Sequence, residues 1–356
     1  MAPASLLSHV RSQLVVDVDS MNPDVAVRHT TPTHTFCDMT SNQAIVYGEA
    51  VRPEQASVFN EAVAKIRSGE TQLDIETQVS DAVDLLTVLL AKQVYPNLTG
   101  RVHAQASPSA AYDTEATIQH AKKLVALFEA NGIPKSRVCI KIPTTPESIV
   151  ACNYLEKLGI RTLATCLFSV PQALAAHQAG CLYIAPYFNE LRVHFEPGLW
   201  KAYEDTAREH PMGPVIGAIV KLYKEIGSST LVMPASIVTA KEVVALVSLR
   251  PDHLTLSGAV LDELAAASSP EEPTAAEPKP QHPDVPLSSE PAGAKATGQA
   301  KEPGVNDVNY LENDADALKA AFAADTETSR KMADALRIFG EMETKTKDLL
   351  RAALQA

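Results

Sequence analysis

The chain is poor in aromatic residues and has no excess of positive charge. Aromatic side chains make up 5% of its 356 residues, and lysine plus arginine number 31 against 43 aspartates and glutamates. The resulting net charge of −12 argues against a general nucleic-acid binder or a protein of anionic membrane surfaces. No apolar run approaches the length that crosses a bilayer, and the short one around Leu6 does not resemble a secretory signal.

Cysteines and histidines are scattered, without the spacing of metal ligands. The chain has five cysteines, at positions 37, 139, 152, 166 and 181. An odd, widely spread set within apolar segments predicts buried, reduced thiols of a cytoplasmic protein, with neither a disulfide framework nor a zinc site. We interpret His103, His177 and His194 as structural for the same reason, and expect no metal and no cofactor.

Eight apolar segments alternate with amphipathic helical patterns in the first three quarters of the chain. This alternation predicts a (β/α)8 TIM barrel over residues 1–267. A doubly wound open sheet is the alternative, but no glycine-rich phosphate loop follows the first segment. The predicted strands are Leu14–Asp19, Thr35–Met39, Thr99–Gln105, Val138–Ile142, Thr162–Phe168, Leu182–Pro186, Thr230–Pro234 and His253–Leu256.

The last quarter of the chain changes composition twice. Residues 268–305 are dense in Pro, Ala and Glu with almost no aliphatic side chains, which predicts a disordered linker. We expect residues 306–356 to form an additional C-terminal helical segment, capped by Asn313 or Asp314, that packs on the barrel or on a partner subunit. Its apolar positions are Leu318, Phe322, Met332, Leu336, Phe339, Met342, Leu349 and Leu350.

Lys141 lies in the middle of the apolar segment Val138–Pro143. A buried ammonium is costly, and desolvation favours the free amine that attacks carbonyl groups to form a Schiff base. The alternative is a lysine near a strand end whose ammonium reaches solvent. Asp19, Gln105 and Thr165 also come near the ends of predicted strands, where barrel active sites lie. Together these residues predict a class I aldolase-type site.

The motifs in this order resemble the transaldolase family. They are Val18-Asp19-Ser20, Thr40-Ser41-Asn42, the Lys141 segment, Thr162–Ser169 and His253–Ser257, with Gln43 where the family has proline. The resemblance covers nearly all of the chain except the linker. The terminal helix is similar to one that closes over the barrel mouth in longer transaldolases.

The resemblance implies roles for individual residues and the partners of the protein. Lys141 would form the imine, Asp19 would transfer the proton, Thr165 would hold the catalytic water, and Thr40, Asn42 and Ser236 would contact substrate hydroxyls. Asp17 is the alternative to Asp19, because strand side chains repeat every two residues. The implied partners are small ketoses and aldehydes, without nucleic acid or membrane, and the implied assembly is a homodimer or higher homo-oligomer.

Two departures from the family pattern concern the catalytic water. Gln105 ends a strand that carries a glutamate in ordinary transaldolases, and Tyr187 replaces a phenylalanine. Both changes resemble the fructose-6-phosphate aldolases. A phenol near the imine can move a proton and hold the water. The alternative for Tyr187 is that it fills the space of the phenylalanine.

Two further departures concern phosphate. Glu190 and Val238 occupy the positions of the two arginines with which the family holds the substrate phosphate. Asn189 and Arg192 remain candidates for substrate contacts, and Lys201 and Lys241 are other cations out of register. We therefore predict a Schiff-base enzyme that transfers or releases a three-carbon dihydroxyacetone unit from a non-standard or unphosphorylated substrate. The alternatives are an ordinary transaldolase of the pentose phosphate pathway and a catalytically retired barrel used for binding.

Overall fold

Parallel strands and helices alternate in the computed structural model, which describes residues 5–69, 74–269 and 308–356. Most of the predicted linker, residues 270–305, lies outside the described residues. The strands are β1 (Val15–Val18), β2 (Val102–Gln105), β3 (Val138–Pro143), β4 (Arg161–Leu167), β5 (Tyr183–Pro186), β6 (Leu231–Val232) and β7 (His253–Leu256).

The strands close into a ring, and the predicted (β/α)8 barrel is confirmed. β2 to β6 pair in sequence order, and β1 pairs with β7, all in parallel. Met39 fills the gap between β1 and β2, because it bridges Val18 on one side and Val102 on the other. The amide of Asp252 donates to the carbonyl of Val232 at 3.1 Å and joins β6 to β7. The segment around Met39 is therefore the eighth strand, shorter than the sequence predicts.

Helices surround this ring and connect its strands. Several begin with a capping side chain, such as Asp113 for α6 and Thr145 for α7, and α8 and α10 end at left-handed Gly180 and Gly227. The bounds are α1 Leu6–Gln13, α2 Pro23–Arg28, α3 Gln43–Ala50, α4 Ala56–Arg67, α5 Ile75–Val94, α6 Thr114–Ala130, α7 Pro146–Lys157, α8 Val170–Ala179, α9 Thr206–Glu209, α10 Met212–Ile226, α11 Ala240–Ser248 and α12 Gly258–Ala266.

Two helices follow the barrel, α13 (Asp316–Ala324) and α14 (Thr326–Gln355). α13 begins one or two residues later than the sequence suggests, since Asn313, Asp314 and Ala315 all have left-handed backbones and Ala315 is at the N-cap. The predicted cap at Asn313 or Asp314 is therefore wrong. α14 packs on α3, α5, β4 and the 3-10 turn Leu191–His194. It therefore lies across the carboxyl ends of the strands, which we call the mouth of the barrel.

The barrel interior holds a buried polar layer below the mouth. Asp17 accepts hydrogen bonds from the Asp38 amide at 2.8 Å and from His253 at 2.7 Å. Asp38 pairs with His103 at 2.8 Å, and the Tyr183 ring lies between the two imidazoles, with centroids 5.4 and 5.3 Å away. Although burial opposes its ionisation, the hydrogen bond from His103 lowers the pKa of Asp38. These pairs satisfy charges that an apolar core would not tolerate.

Two of the histidines that the sequence predicts as structural have hydrogen-bond partners within the protein. His103 is buried in its pair with Asp38, and His177 bonds Ser228 Oγ at 2.8 Å. Asp17, Cys37 and Asp38 lie close enough together to suggest a cation site. Their carboxylate oxygens, however, already accept hydrogen bonds from His253, His103 and the amides of Asp38 and Arg101.

Within the described ranges, no helix has both the length and the apolarity to span a bilayer.

We predict that Gly100→Ala destabilises the barrel while Gly48→Ala does not. A Cβ at position 100 would collide with the Asp38 carboxylate and lie 2.7 Å from Cys37 Sγ, whereas nothing lies within 4 Å of one at position 48. We expect a loss of about 3 kcal/mol for the first variant and a gain of ~0.5–1 kcal/mol for the second, in helix α3. Urea unfolding measures both. Equal free energies of unfolding for the two variants would contradict this account of the polar layer.

Candidate active site

Lys141 is buried in β3, at 2% of its accessible surface, and faces the interior near the mouth. It lies in register with Gln105 of β2 and Leu163 of β4. Paired residues of parallel strands point to the same face, so Gln105 and Lys141 share the barrel interior. The lysine therefore does not reach bulk solvent past the strand end, which was the alternative that the sequence left open.

Thr165 and Tyr187 form a buried hydroxyl pair beside this lysine. Thr165 Oγ1 donates to the Tyr187 phenol oxygen at 3.2 Å. Burial raises the pKa of Tyr187, so the phenol keeps its proton. The Cys166 thiol interacts with both hydroxyls; burial raises the pKa of Cys166 to about 11, and the charge of Lys141 opposes that rise. This cluster connects the ends of β3, β4 and β5.

A break in the pairing of β4 with β5 sets the direction in which the side chains of Thr165 and Cys166 point. The register between β4 and β5 shifts between Ala164 and Leu167, and Cys166 has a left-handed backbone with φ 53°. A bulge of this kind turns side chains away from strict alternation. Left-handed conformation costs a non-glycine residue about 1–3 kcal/mol, and such strain concentrates at functional sites. Nothing in the sequence pattern indicates this bulge.

The structure separates the two candidate carboxylates of β1. Asp17 belongs to the buried layer and pairs with His253, whereas Asp19 lies two residues nearer the mouth and is half-buried. Asp19 accepts a hydrogen bond from Thr40 Oγ1 at 2.6 Å. Thr40 is itself buried and also bonds Thr255 at 2.6 Å. Thr40 thus holds Asp19 in place, and the substrate contact that the resemblance implies for Thr40 stays a prediction.

Gln105 and Asn42 each keep one polar group free of protein partners. Gln105 Nε2 donates to Gln43 Oε1 at 2.7 Å, while its buried Oε1 has no hydrogen-bond partner among the described residues. Asn42 Oδ1 accepts from the amides of Ala44 and Ile45 and caps α3, which leaves its Nδ2 available. One acceptor and one donor are therefore available on this side of the mouth.

On the opposite side, Ser236 has a left-handed backbone with φ 60°, and its Oγ lies 2.8 Å from His194 Nε2. Asn189 anchors this turn. Its buried amide group donates at 3.0 Å both to the Ser236 carbonyl and to the Glu242 carboxylate. Asn189 therefore positions Ser236, and both of its acceptors are protein atoms. The sequence had presented it as a candidate for direct substrate contact.

Glu190, at the position of a family arginine, binds the C-terminal helix. Its carboxylate lies 2.6 Å from the Arg330 guanidinium of α14. Arg192 donates to Glu196 at 3.0 Å and lies 3.9 Å from Asp334 of α14. These two arginines share the rim of the mouth with four carboxylates, those of Glu190, Glu196, Glu327 and Asp334.

The other substitute cations are also engaged elsewhere. Lys201 lies over the Tyr203 ring at 5.1 Å, and Lys241 Nζ donates to the Tyr203 carbonyl at 2.5 Å. Position 238 offers only a backbone amide, which donates to Glu242 at 2.8 Å. The structure thus gathers Lys141, Asp19, Gln105, Thr165, Tyr187, Asn42 and Ser236 at the mouth, and places Arg192 in the carboxylate network of its rim.

Three residues at the mouth escape sequence reasoning. Cys166 was assigned only to the core, His194 was taken as structural, and Arg330 was not considered. Arg330 lies on the charged face of α14, with Asp334 and Arg337, and such a face normally predicts only contact with solvent. No pattern in the sequence indicates the bond between His194 and Ser236, because the two lie 42 residues apart and meet only through β5 and β6.

Comparisons with known proteins agree with this geometry. The family model described as Transaldolase/Fructose-6-phosphate aldolase matches residues 16–333. The chain is 38% identical to a transaldolase of Alteromonas mediterranea over 64% of this chain and 70% of the relative. It is 31% identical to a transaldolase of Shewanella amazonensis over 75% of this chain and 81% of the relative.

A third relative, the transaldolase of Methylobacillus flagellatus, is 34% identical over 64% of this chain and 71% of its own. The matched region runs from β1 into α14 and includes all of the strands. The chain therefore belongs to the transaldolase/fructose-6-phosphate aldolase family, a family of (β/α)8-barrel class I aldolases and transferases.

Proposed function

We propose that Lys141 forms a Schiff base with a ketose or hydroxyketone, and that the enzyme transfers or releases a three-carbon dihydroxyacetone unit. The observation that carries this proposal is the enclosure of Lys141, at 2% exposure, beside the Thr165–Tyr187 hydroxyl pair. A lysine amine is the side-chain group that adds to a ketone carbonyl to form a Schiff base. The family membership supports the same chemistry.

The proposed reaction has four steps that balance without a cofactor. The amine of Lys141 adds to the substrate carbonyl, and loss of water leaves a protonated imine. Asp19 accepts the proton of the substrate hydroxyl as the carbon–carbon bond breaks and its electron pair moves into the imine. An aldehyde leaves and an enamine remains. The enamine then adds to an acceptor aldehyde, whose oxygen takes the proton back from Asp19, or the enamine is itself protonated. In both cases water hydrolyses the resulting imine, which releases the ketose product and the amine of Lys141.

The catalytic water of these steps is bound, in this proposal, by Thr165, Tyr187 and Gln105. Thr165 donates its proton to the phenol oxygen, so the Tyr187 hydroxyl hydrogen remains to be shared between the Cys166 thiol and a water. On the other side of Lys141, the Oε1 atom of Gln105 in β2 has no partner among the described residues and can accept a hydrogen bond. A water held by both groups would favour hydrolysis of the imine, and hence aldolase activity as well as transfer.

The far end of the substrate meets a rim that suits a neutral group better than a phosphate. Glu190 is already paired with Arg330, and position 238 carries valine. Glu242 is buried behind this turn, where it accepts from Asn189 and from the Val238 amide. A dianion would meet carboxylates without an uncommitted arginine, which costs affinity. We therefore propose an unphosphorylated ketose as the preferred donor.

Borohydride reduction with a ketose tests the imine. We expect a mass adduct on Lys141 of the native enzyme, and Lys141→Ala should lose both the adduct and activity, on the order of a thousandfold or more. Lys92→Ala, on the exposed face of α5, is the control and should keep both. If no ketone gives an adduct on a folded protein, the catalytically retired barrel replaces this proposal.

Tyr187→Phe tests the water. Removal of the phenol should lower hydrolysis relative to transfer by about tenfold, because the imine loses a group that holds and activates water. Product mass measured with and without an acceptor aldehyde gives the ratio of the two activities. Tyr154→Phe, an exposed tyrosine of α7, is the matched control. An unchanged ratio in Tyr187→Phe would leave this tyrosine with a packing role only.

A comparison of fructose with fructose 6-phosphate tests the substrate class. We expect the native enzyme to have the larger kcat/KM with fructose. Val238→Arg should lower KM for the phosphorylated sugar by about tenfold, since it restores a guanidinium at the rim. Val244→Arg on the exposed face of α11 adds the same charge elsewhere and should not. A micromolar KM of the native enzyme for fructose 6-phosphate would instead support an ordinary transaldolase.

A further inference from the structure

A histidine–serine pair lines the open side of the mouth, at the end of the substrate remote from Lys141. His194 ends the 3-10 turn Leu191–His194 after β5, and Ser236 follows the strand extension at Ala235, which bridges Tyr187. The His194 ring and the Ser236 hydroxyl are 2.8 Å apart. The left-handed backbone of Ser236 and its anchor, Asn189, hold the hydroxyl in this position.

The His194 side chain is in contact with solvent and also has many protein atoms around its ring, as expected of a side chain that lines an open cavity. The residue is exposed to solvent, yet desolvation lowers its pKa, and the charges of Asp19 and Glu242 oppose that effect. Asp19 also acts on the pKa of Tyr187. One carboxylate at the centre of the mouth is therefore within electrostatic range of both the phenol and the imidazole.

The imidazole keeps one nitrogen for a ligand. Nε2 is bonded to Ser236, and no described residue pairs with Nδ1. A neutral imidazole has one donor and one acceptor nitrogen, so the His194–Ser236 pair can both donate and accept. A hydroxyl group matches this pattern, because it too donates one hydrogen bond and accepts others.

The charges around the pair select against an anion. Asp19 and Glu242 face the imidazole, and Glu190 lies on the same turn-bearing segment, paired with Arg330 of α14. The nearest arginine of that segment, Arg192, is committed to Glu196. Like charge at a binding site discriminates against a wrong ligand more strongly than a missing contact does.

We propose that His194, held by Ser236, recognises the terminal hydroxyl of an unphosphorylated ketose and so determines the donor specificity of this enzyme. The assignment rests on the proposed function, and it identifies the substrate group that is recognised at the rim of the mouth. The ketose carbonyl carbon would be bound at Lys141, the hydroxyl that loses its proton at Asp19, and the terminal hydroxyl at His194.

Fructose and 6-deoxyfructose form a matched pair of probes, since they differ only in the terminal hydroxyl. The native enzyme should prefer fructose by about tenfold in kcat/KM, chiefly through KM. His194→Ala and His194→Phe should each reduce that preference to about twofold or less, because both lose the ring nitrogens. His194→Phe keeps the ring volume, so a preference that survived in it would overturn the hydrogen-bonding role.

His177→Ala is the control, because it removes another histidine–serine hydrogen bond, at 2.8 Å to Ser228, at the other end of the barrel, where β5 and β6 begin. It should keep the native preference. An unchanged preference in both His194 variants, with an imine still trapped on Lys141, would defeat this assignment alone. Absence of any imine in the native enzyme would defeat the proposed function and this assignment with it. A native enzyme that favours fructose 6-phosphate, with its largest loss in His194→Ala, would also overturn the hydroxyl assignment.

Discussion

The structure depends on keeping the side chain of Lys141 enclosed within a barrel. An amine there needs polar neighbours that do not let water in freely, and each neighbouring strand supplies one: Gln105 in register on β2, and Thr165 on β4 with Tyr187 after β5. The layer beneath pairs every carboxylate with a histidine, which keeps charge from remaining unpaired in the core. The polar interior of this barrel thus has two levels. In the lower level each carboxylate is paired with a histidine, and at the mouth polar groups remain that can bind a substrate or a water.

The C-terminal helix and the rim of the mouth are linked by charge. Glu190 sits where the family pattern has an arginine and binds Arg330 of α14 at 2.6 Å. This carboxylate anchors the helix across the mouth. Arg192 and Asp334 extend the network at 3.9 Å. The covering helix and the rim of the mouth therefore share one carboxylate, that of Glu190, which pairs with the helix.

The sequence predicted the repeating units of the fold well, and the individual contacts less well. All eight strand positions were found, because each is a short apolar run between helical periods, although the segment around Met39 pairs at one residue only. The cap of α13 was misplaced, since Asn313 and Asp314 adopt left-handed backbones that no local rule required. Thr40 and Asn189 stay predicted substrate contacts, and the structure adds that each is buried and holds a neighbour, Asp19 or Ser236, in place.

The sequence by itself determined the barrel and the place of Lys141 in the middle of a buried strand, β3, because both depend on local periodicity and on the order of short apolar segments. The absence of two family arginines stays a prediction that rests on the resemblance. Only the tertiary structure decided which of Asp17 and Asp19 faces the mouth, since residues two apart on a strand point the same way and differ only in depth. It also joined His194 to Ser236 and Glu190 to Arg330, at separations of 42 and 140 residues. Such contacts depend on how strands and helices are placed around the ring, and no local pattern records them.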